Sequence, residues 1–315
     1  LNVPIIQTFG LTKSFKDTIA VNNLNLTVSS GIYGLLGPNG AGKTTTIKLI
    51  IGSLYPTAGR IELFGHDING KEKINMHKLI GYVPEQPTYF RSMSAEKLLT
   101  YIGRIFQMSK QEIKERVAYL LQLVDLSDAR LKIIAKYSAG MKQRIGIAQA
   151  LMNDPQLLIL DEITSNLDPI GRNEMIELLK DLRKEGKTIF ISTHVLPEIQ
   201  KMNANSIGII NRGHLIMEGR TDDLNKKLKT KMIIIKPNHE LFRESLTPFA
   251  SEITQDSESI TIKTDKVNEV WQKVANVSLQ NNINVSEFRS SGLEIEQIFM
   301  EALKSAELKE ENRNG

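Results

Sequence analysis

The stretch Gly37-Pro38-Asn39-Gly40-Ala41-Gly42-Lys43-Thr44-Thr45 decides how this chain folds. It matches a glycine, four residues, a second glycine, a lysine and a hydroxyl residue, set between a strand and a helix. The apolar run Ile32 to Leu36 before it reads as a buried strand, and helix-like sequence follows. In that setting the glycines let successive backbone N–H groups turn inward around phosphate oxygens, and the helix start adds its positive end. Lys43 then neutralises the β and γ charges and Thr44 offers a hydroxyl to Mg²⁺. Asn39, Gly40, Gly42, Lys43, Thr44 and Thr45 are expected to hold a nucleoside triphosphate.

The run Leu157-Leu158-Ile159-Leu160-Asp161-Glu162 supplies the complementary half. A buried strand delivers two carboxylates to the edge where ligands of open α/β sheets bind. Asp161 is placed to hold the Mg²⁺ shell, and Glu162, one residue farther on, to polarise an attacking water as general base. Thr188 to Ser192 repeats the short apolar run followed by loop and helix, the pattern of a parallel strand buried on both faces. Near-alternating Val21, Leu24, Leu26 and Val28, with Arg60 to Leu63, read instead as antiparallel strands with one buried face.

Ser94 precedes a helical face of Leu98, Leu99, Ile102, Ile105 and Phe106. Ser109 and Glu112 form a capping box ahead of Ile113, Val117, Leu120, Leu121 and Val124. Asp168-Pro169 opens a further helix, with Met175, Ile176, Leu179 and Leu182 inward and Gly186 ending it.

The 315 residues, 41% of them hydrophobic, are enough for a main domain and a smaller one. Forty Lys and Arg against 36 Asp and Glu leave +4, too even a balance to indicate nucleic acid or a membrane surface. Without cysteine there is neither a disulfide framework nor a thiolate metal site. Leu1 to Phe9 lacks the basic start and apolar stretch of a signal peptide, and no apolar run approaches the roughly 18–20 residues that span a bilayer.

Tyr137-Ser138-Ala139-Gly140-Met141 stands ahead of a helix running Lys142 to Met152. Together these motifs resemble, from about Ile5 to Gly219, the nucleotide-binding subunits of ABC transporters. The resemblance implies an α/β P-loop NTPase fold of ABC type, with a mixed sheet core, an antiparallel β subdomain and a helical subdomain at about 87–150. It implies ATP hydrolysis with Mg²⁺ between two head-to-tail copies, the signature loop of one capping the γ-phosphate held by the other. Ser138 and Gly140 match that loop, whereas Tyr137, Ala139 and Met141 depart from its commonest form. The resemblance also puts Phe15 in the aromatic loop that stacks on adenine, Asp168 in the loop crossing the dimer, and His194 at the γ-phosphate switch. Where the family usually has Gln after a strand, Val83-Pro84-Glu85-Gln86 puts Glu85, with Gln86 as the neighbour that can take the same role. Either reaches toward Mg²⁺ or the attacking water; Glu85 adds a negative charge.

The implied partners are a second ATPase copy and a separate transmembrane subunit, at the cytoplasmic face of the membrane, with no nucleic acid. A non-transport ABC ATPase of the translation or DNA-repair type is the alternative, disfavoured by the single ATPase module, the short interval before the signature and the lack of zinc cysteines. The Glu85 loop and the ending Leu293-Glu294-Ile295-Glu296-Gln297-Ile298-Phe299 resemble bacterial and archaeal exporters. Cargo is not legible, because it meets the membrane subunit and not these residues.

Residues 1–225 are thus expected to form the ATPase domain and 226–306 a small α+β domain, with 307–315 a charged tail. Lys226, Lys227, Lys229 and Lys231 mark the linker. Strands at Met232 to Lys236, Ser259 to Lys263 and Asn284 to Phe288 are expected to surround a helix at Val267 to Leu279 whose face is Val267, Val270, Trp271 and Val274. A last helical segment, Glu294 to Leu303, closes the pattern.

Overall fold

The computed structural model describes residues 3–70, 73–90, 92–227 and 231–292. The chain forms two compact units, Leu1–Arg220 and Thr221–Gly315.

The first unit carries two sheets. In the smaller one β1 (Ile6–Phe15) pairs antiparallel with β2 (Thr18–Leu24), β3 (Thr27–Val28) and β5 (Ala58–Leu63), and β6 (His66–Asp67) extends it beside β5. The larger sheet holds β4 (Ile32–Leu36), β7 (Ile80–Val83), β8 (Leu157–Asp161), β9 (Thr188–Thr193), β10 (Ser206–Asn211) and β11 (His214–Arg220), in the order β11-β10-β4-β9-β8-β7. All its pairs are parallel except the β10–β11 hairpin. Every residue of β4, β8 and β9 is buried, which is why these strands read as unbroken apolar runs.

Register fixes the site. Leu36 pairs with Thr193, Asp161 with Ser192, and Val83 with Leu160. The C-terminal ends of four adjacent strands therefore lie along one edge, and the loops that leave them carry Gly37 to Gly42, His194, Glu162 and Glu85.

The helices of this unit are α1 (Lys43–Ile50), α2 (Lys73–Lys78), α3 (Ala95–Ile105), α4 (Lys110–Leu123), α5 (Ala139–Ala150), α6 (Pro169–Lys184) and α7 (Leu196–Lys201). The sequence marks their starts well. Ser94 caps α3, Ser109 and Glu112 form the reciprocal capping box of α4, and Asp168 caps α6 with Pro169 behind it. Helices α3 to α5 are inserted between β7 and β8.

The expected inward face of α3 needs correction. Leu98 and Leu99 are buried, but Ile105 is 60% and Phe106 40% exposed. The helix approaches its neighbours most closely at Gly103, where an added Cβ would lie 2.7 Å from Ile113 and 2.8 Å from Met152. The buried ridge runs Ala95, Leu99, Gly103 at four-residue spacing, and Ile105 and Phe106 rotate away from it.

In the second unit α8 (Thr221–Lys227) precedes β12 (Lys231–Lys236), α9 (Glu240–Leu246), β13 (Glu252–Gln255), β14 (Ile260–Thr264), α10 (Val267–Asn281) and β15 (Glu287–Gly292). The antiparallel order β13-β14-β12-β15 makes a β-α-β-β-α-β unit. Ile233, Ile235, Ile260 and Ile262 alternate onto one sheet face and pack against Phe242, Leu246, Val270, Val274 and Val277.

Four expectations differ here. Lys226 and Lys227 end a helix rather than lie in a linker. The last strand begins at Glu287 rather than Asn284. Trp271 is half exposed, set edge-on to Phe288 at 4.6 Å instead of filling the core. Helix α9 and strand β13 were not anticipated, because neither short segment has enough apolar positions to show a period. Lys229, the ending Leu293 to Phe299, the segment Glu294 to Leu303 and the tail 307–315 lie outside the described residues.

Ser109 accepts from the Glu112 N–H at 3.2 Å while the Glu112 carboxylate accepts from the Ser109 N–H at 2.7 Å. Replacing Ser109 by Ala is expected to lower unfolding free energy by about 1 kcal/mol in a urea titration; an unchanged midpoint would mean that the cap does not hold α4.

Candidate functional site

Helix α1 starts with Gly42 as its N-cap, in the left-handed region at φ 104°. A Cβ there would stand 2.4 Å from the Ala20 carbonyl oxygen of β2, so glycine is required both by torsion and by space. The loop is fastened on two more sides. The Gly37 N–H donates to the Thr193 carbonyl at 3.3 Å, and the Gly213 N–H donates to the Ala41 carbonyl at 2.8 Å. Lys43 is buried and its Nζ donates back to the Gly37 and Pro38 carbonyls at 2.6 and 3.0 Å. Thr44 and Thr45 are half-buried in the first turn of α1, and Asn39 and Gly40 are exposed at the loop's crest.

Glu162 meets this loop from the end of β8. Its backbone turns into the left-handed region at φ 49°, and its N–H donates to the Ser192 carbonyl and hydroxyl at 3.2 and 3.1 Å. That turn aims the carboxylate along the sheet edge. Oε1 lies 3.1 Å from Lys43 Nζ and Oε2 lies 2.8 Å from His194 Nδ1. The ammonium and carboxylate are both buried, so the lysine offsets a negative charge that burial would otherwise penalise. Next to it, Asp161 accepts the Ser192 hydroxyl proton. Tyr82 on β7 has its phenol pushed up to about 12, first by burial and second by the charge of Asp161.

Lys43, Asp161, Glu162 and His194 are thus brought together, and Ser192 joins them. In the sequence Ser192 is only the end of an apolar run. Its role follows from pairing with Asp161 across two strands, which no local pattern reveals.

Phe15 closes β1 opposite Thr18, 45% exposed, with Lys13 Nζ 5.1 Å from its ring centroid. The strand it turns into carries the Ala20 carbonyl that abuts Gly42.

Glu85 is half-buried just beyond β7 and Gln86 is exposed. The Glu85 carbonyl accepts from Gln143 Nε2 at 2.9 Å, and the Tyr89 hydroxyl donates to the Lys142 carbonyl at 2.7 Å. Two hydrogen bonds therefore fasten the Glu85 loop to α5.

Ser138, Gly140 and Asp168 are elsewhere. Ser138 caps α5, accepting from the Met141 N–H at 3.2 Å, while Asp168 accepts from the Gly171 N–H at 2.9 Å. They line a cleft of about 620 Å³ together with Arg144, Asn166 and Glu174, and none of Lys43, Asp161, Glu162 or His194 borders it. Tyr137, at the position that departs from the commonest signature, is buried, its hydroxyl bound to the Ala129 carbonyl at 2.8 Å.

A phosphate-binding loop, a carboxylate pair two strands away along the same sheet edge and a second polar cleft define a P-loop ATPase. Comparison with known proteins gives the family. The sequence model described as "ABC transporter" matches residues 21–165. The bacitracin transport ATP-binding protein BcrA of Bacillus licheniformis is 43% identical over 225 residues, 71% of this chain and 72% of that protein. The Nod factor export ATP-binding protein I of Burkholderia lata is 36% identical over 254 residues, 80% of this chain and 83% of that one. Among solved structures, CbiO1 from Clostridium perfringens, part of the ABC transporter complex CbiONQ, superposes with a TM-score of 0.63 at 27% identity, over 72% of this chain and 94% of its own. The chain belongs to the ATP-binding proteins of the ABC transporter family: it is an ATP-binding and ATP-hydrolysing transporter subunit. Among the described residues no helix is long and apolar enough to cross a membrane.

The requirement for glycine at position 42 can be tested directly. Gly42→Ala is expected to destabilise the fold by about 1–3 kcal/mol and to weaken ATP binding, read from denaturant melts and nucleotide titration. Parental values in both would mean that the loop does not depend on this backbone conformation.

Proposed function

We propose that two copies of this chain close head to tail around two Mg-ATP and drive a separate transmembrane subunit in export. The observation that carries the reading is the division of polar groups between two places. One cluster holds Lys43, Asp161, Glu162 and His194, whereas Ser138 and Gly140 line a different cleft. A second copy is the natural source of the missing half for each.

Within the first half, the phosphate loop and Lys43 bind the β- and γ-phosphates, and Phe15 stacks on the base. Glu162 takes the proton of the attacking water. His194, 2.8 Å away, orients that carboxylate and hydrogen-bonds the γ-phosphate. From the partner copy, Ser138, Gly140 and the start of α5 cap the γ-phosphate, with Asp168 in the loop at the dimer seam. The Thr44 hydroxyl and the Asp161 carboxylate are hard oxygen donors, and no three His, Asp or Glu side chains converge among the described residues. That set fits Mg²⁺, which takes one or two protein oxygens and completes its shell with phosphates and water. When bound, the ion draws charge off the phosphate oxygens. Glu85 rather than Gln86 is assigned to the metal or the water, on its partial burial beyond β7.

Export is supported by the relative named for Nod factor export and, more loosely, by the one named for bacitracin transport. Phe90, Tyr101, Ile105 and Phe106 are exposed around the start of the helical insert, with Phe90 edge-on to Tyr101 at 6.2 Å. These apolar groups are suited to contact the membrane subunit, and Phe90 lies five residues after Glu85. The chain would then sit at the cytoplasmic face of the membrane, held by that subunit. We read residues 1–225 as the motor, five residues past the break between the compact units at Arg220, and the rest of the α+β unit as an accessory domain without a share in hydrolysis.

Glu162→Gln keeps the shape and removes the base. Steady-state turnover is expected to fall by about 10²–10⁴-fold while ATP still binds, and light scattering should find a stable ATP-dependent dimer. Hydrolysis at the parental rate would take Glu162 out of this role.

A further inference from the structure

Glu198 has no part in the chemistry described above, yet it is a carboxylate with 2% of its surface exposed, beside the site. Such a group is costly to bury unless its oxygens are partnered. Here the partners come from two different functional segments. Oε2 accepts from Thr193 Oγ1 at 3.2 Å and from Thr164 Oγ1 at 2.6 Å, and Oε1 lies 3.3 Å from Arg172 Nε.

Each contact leads to a neighbouring functional residue. Thr193 directly precedes His194, and its Oγ1 also accepts from the Val195 N–H at 3.0 Å, so the His194 backbone is bracketed on both sides. Thr164 stands two residues after Glu162, and Arg172 Nη2 donates to the Leu167 carbonyl at 3.2 Å. Farther along the loop between them, Asn166, Leu167 and Asp168 line the cleft that holds Ser138. Both threonines are buried.

We propose that Glu198 is a positioning residue for ATP hydrolysis: its buried carboxylate locks the His194 segment and the loop to Asp168 into one register. Movement at one half-site is thereby passed to the other. If stability alone were at stake, an apolar side chain of similar volume would serve as well, since buried ion pairs are often replaced in that way without loss. The inference rests on the roles assigned to His194 and Asp168.

Thr164→Val removes one donor to Glu198 without changing the volume of the side chain, and Thr164→Ser retains the hydroxyl. In full-length protein, Thr164→Val is expected to lower kcat about tenfold, the factor a contact of ~1.4 kcal/mol in the transition state supplies. ATP affinity should stay within about twofold, since no phosphate contact is touched, a rate loss without a binding loss. Thr164→Ser should restore most of the rate. Glu198→Gln should lower kcat in the same way, and in a Glu162→Gln background Thr164→Val should reduce the ATP-dependent dimer seen by light scattering. Parental kcat in folded Thr164→Val and Glu198→Gln would overturn the proposal, as would a loss of rate that Thr164→Ser shares. His194→Ala, measured alongside, separates the two levels. If it too turns over like the parent, the site assignment fails; if it is crippled while the Glu198 and Thr164 variants are not, only this inference fails.

Discussion

The contact of Glu162 with Lys43 on one side and His194 on the other is the constraint around which the first unit is built. It joins loops that leave three different strands, and it exists only because β4, β9 and β8 end level along one sheet edge. Parallel pairing makes that level edge, and complete burial of these three strands makes the pairing obligatory, since their backbone groups have no water to turn to. The carboxylate is fixed at low exposure beside a cation, the arrangement that the proposed role of a general base calls for. The left-handed backbone at Glu162 is a local cost carried at that position.

From this edge outward, polar connections are few and directed. The Glu85 loop is tied through Gln143 and Tyr89 to α5, the helix that begins at Ser138. Arg144, on the same helix, reaches the Val124 carbonyl, Asp125 at the end of α4 and Glu174 on α6. Glu198 joins the His194 segment to the loop that ends at Asp168. The cluster around Glu162 and the cleft that holds Ser138 are therefore linked through protein, although they do not share a wall. Such links let a change at one be felt at the other, provided that the elements have two arrangements to move between.

Much of this was legible in the sequence, for stated reasons. The phosphate loop, the Asp161-Glu162 pair and the caps at Ser94, Ser109 and Asp168 are short-range patterns, each carrying its own chemistry within a few residues. Helix faces with strong periodicity, such as Met175, Ile176, Leu179 and Leu182, were legible too, and all four are buried. What escaped reading depends on register or on close approach. Ser192 acquires its partner from strand pairing, and Glu198 from the packing of α7 against α6 and the loop before it. Ile105 and Trp271 look like core by type but are turned outward, the first because Gly103 sets the line of closest approach. The start of β15 is not legible in composition, because the ladder with β12 begins at Glu287, opposite Lys236, and that register is set across the sheet.

If one chain holds two unlike halves, as proposed, a working site needs the phosphate loop of one copy and the signature loop of another, and mixing two disabled chains reveals it. A Lys43→Ala chain keeps its signature loop, and a Ser138→Arg chain keeps its phosphate loop; each alone forms only defective sites. The mixture is then expected to hydrolyse ATP at a rate well above the sum of the two separate chains, because mixed pairs contain one intact site. A mixture no more active than that sum, with mixed pairs shown to form, would contradict it.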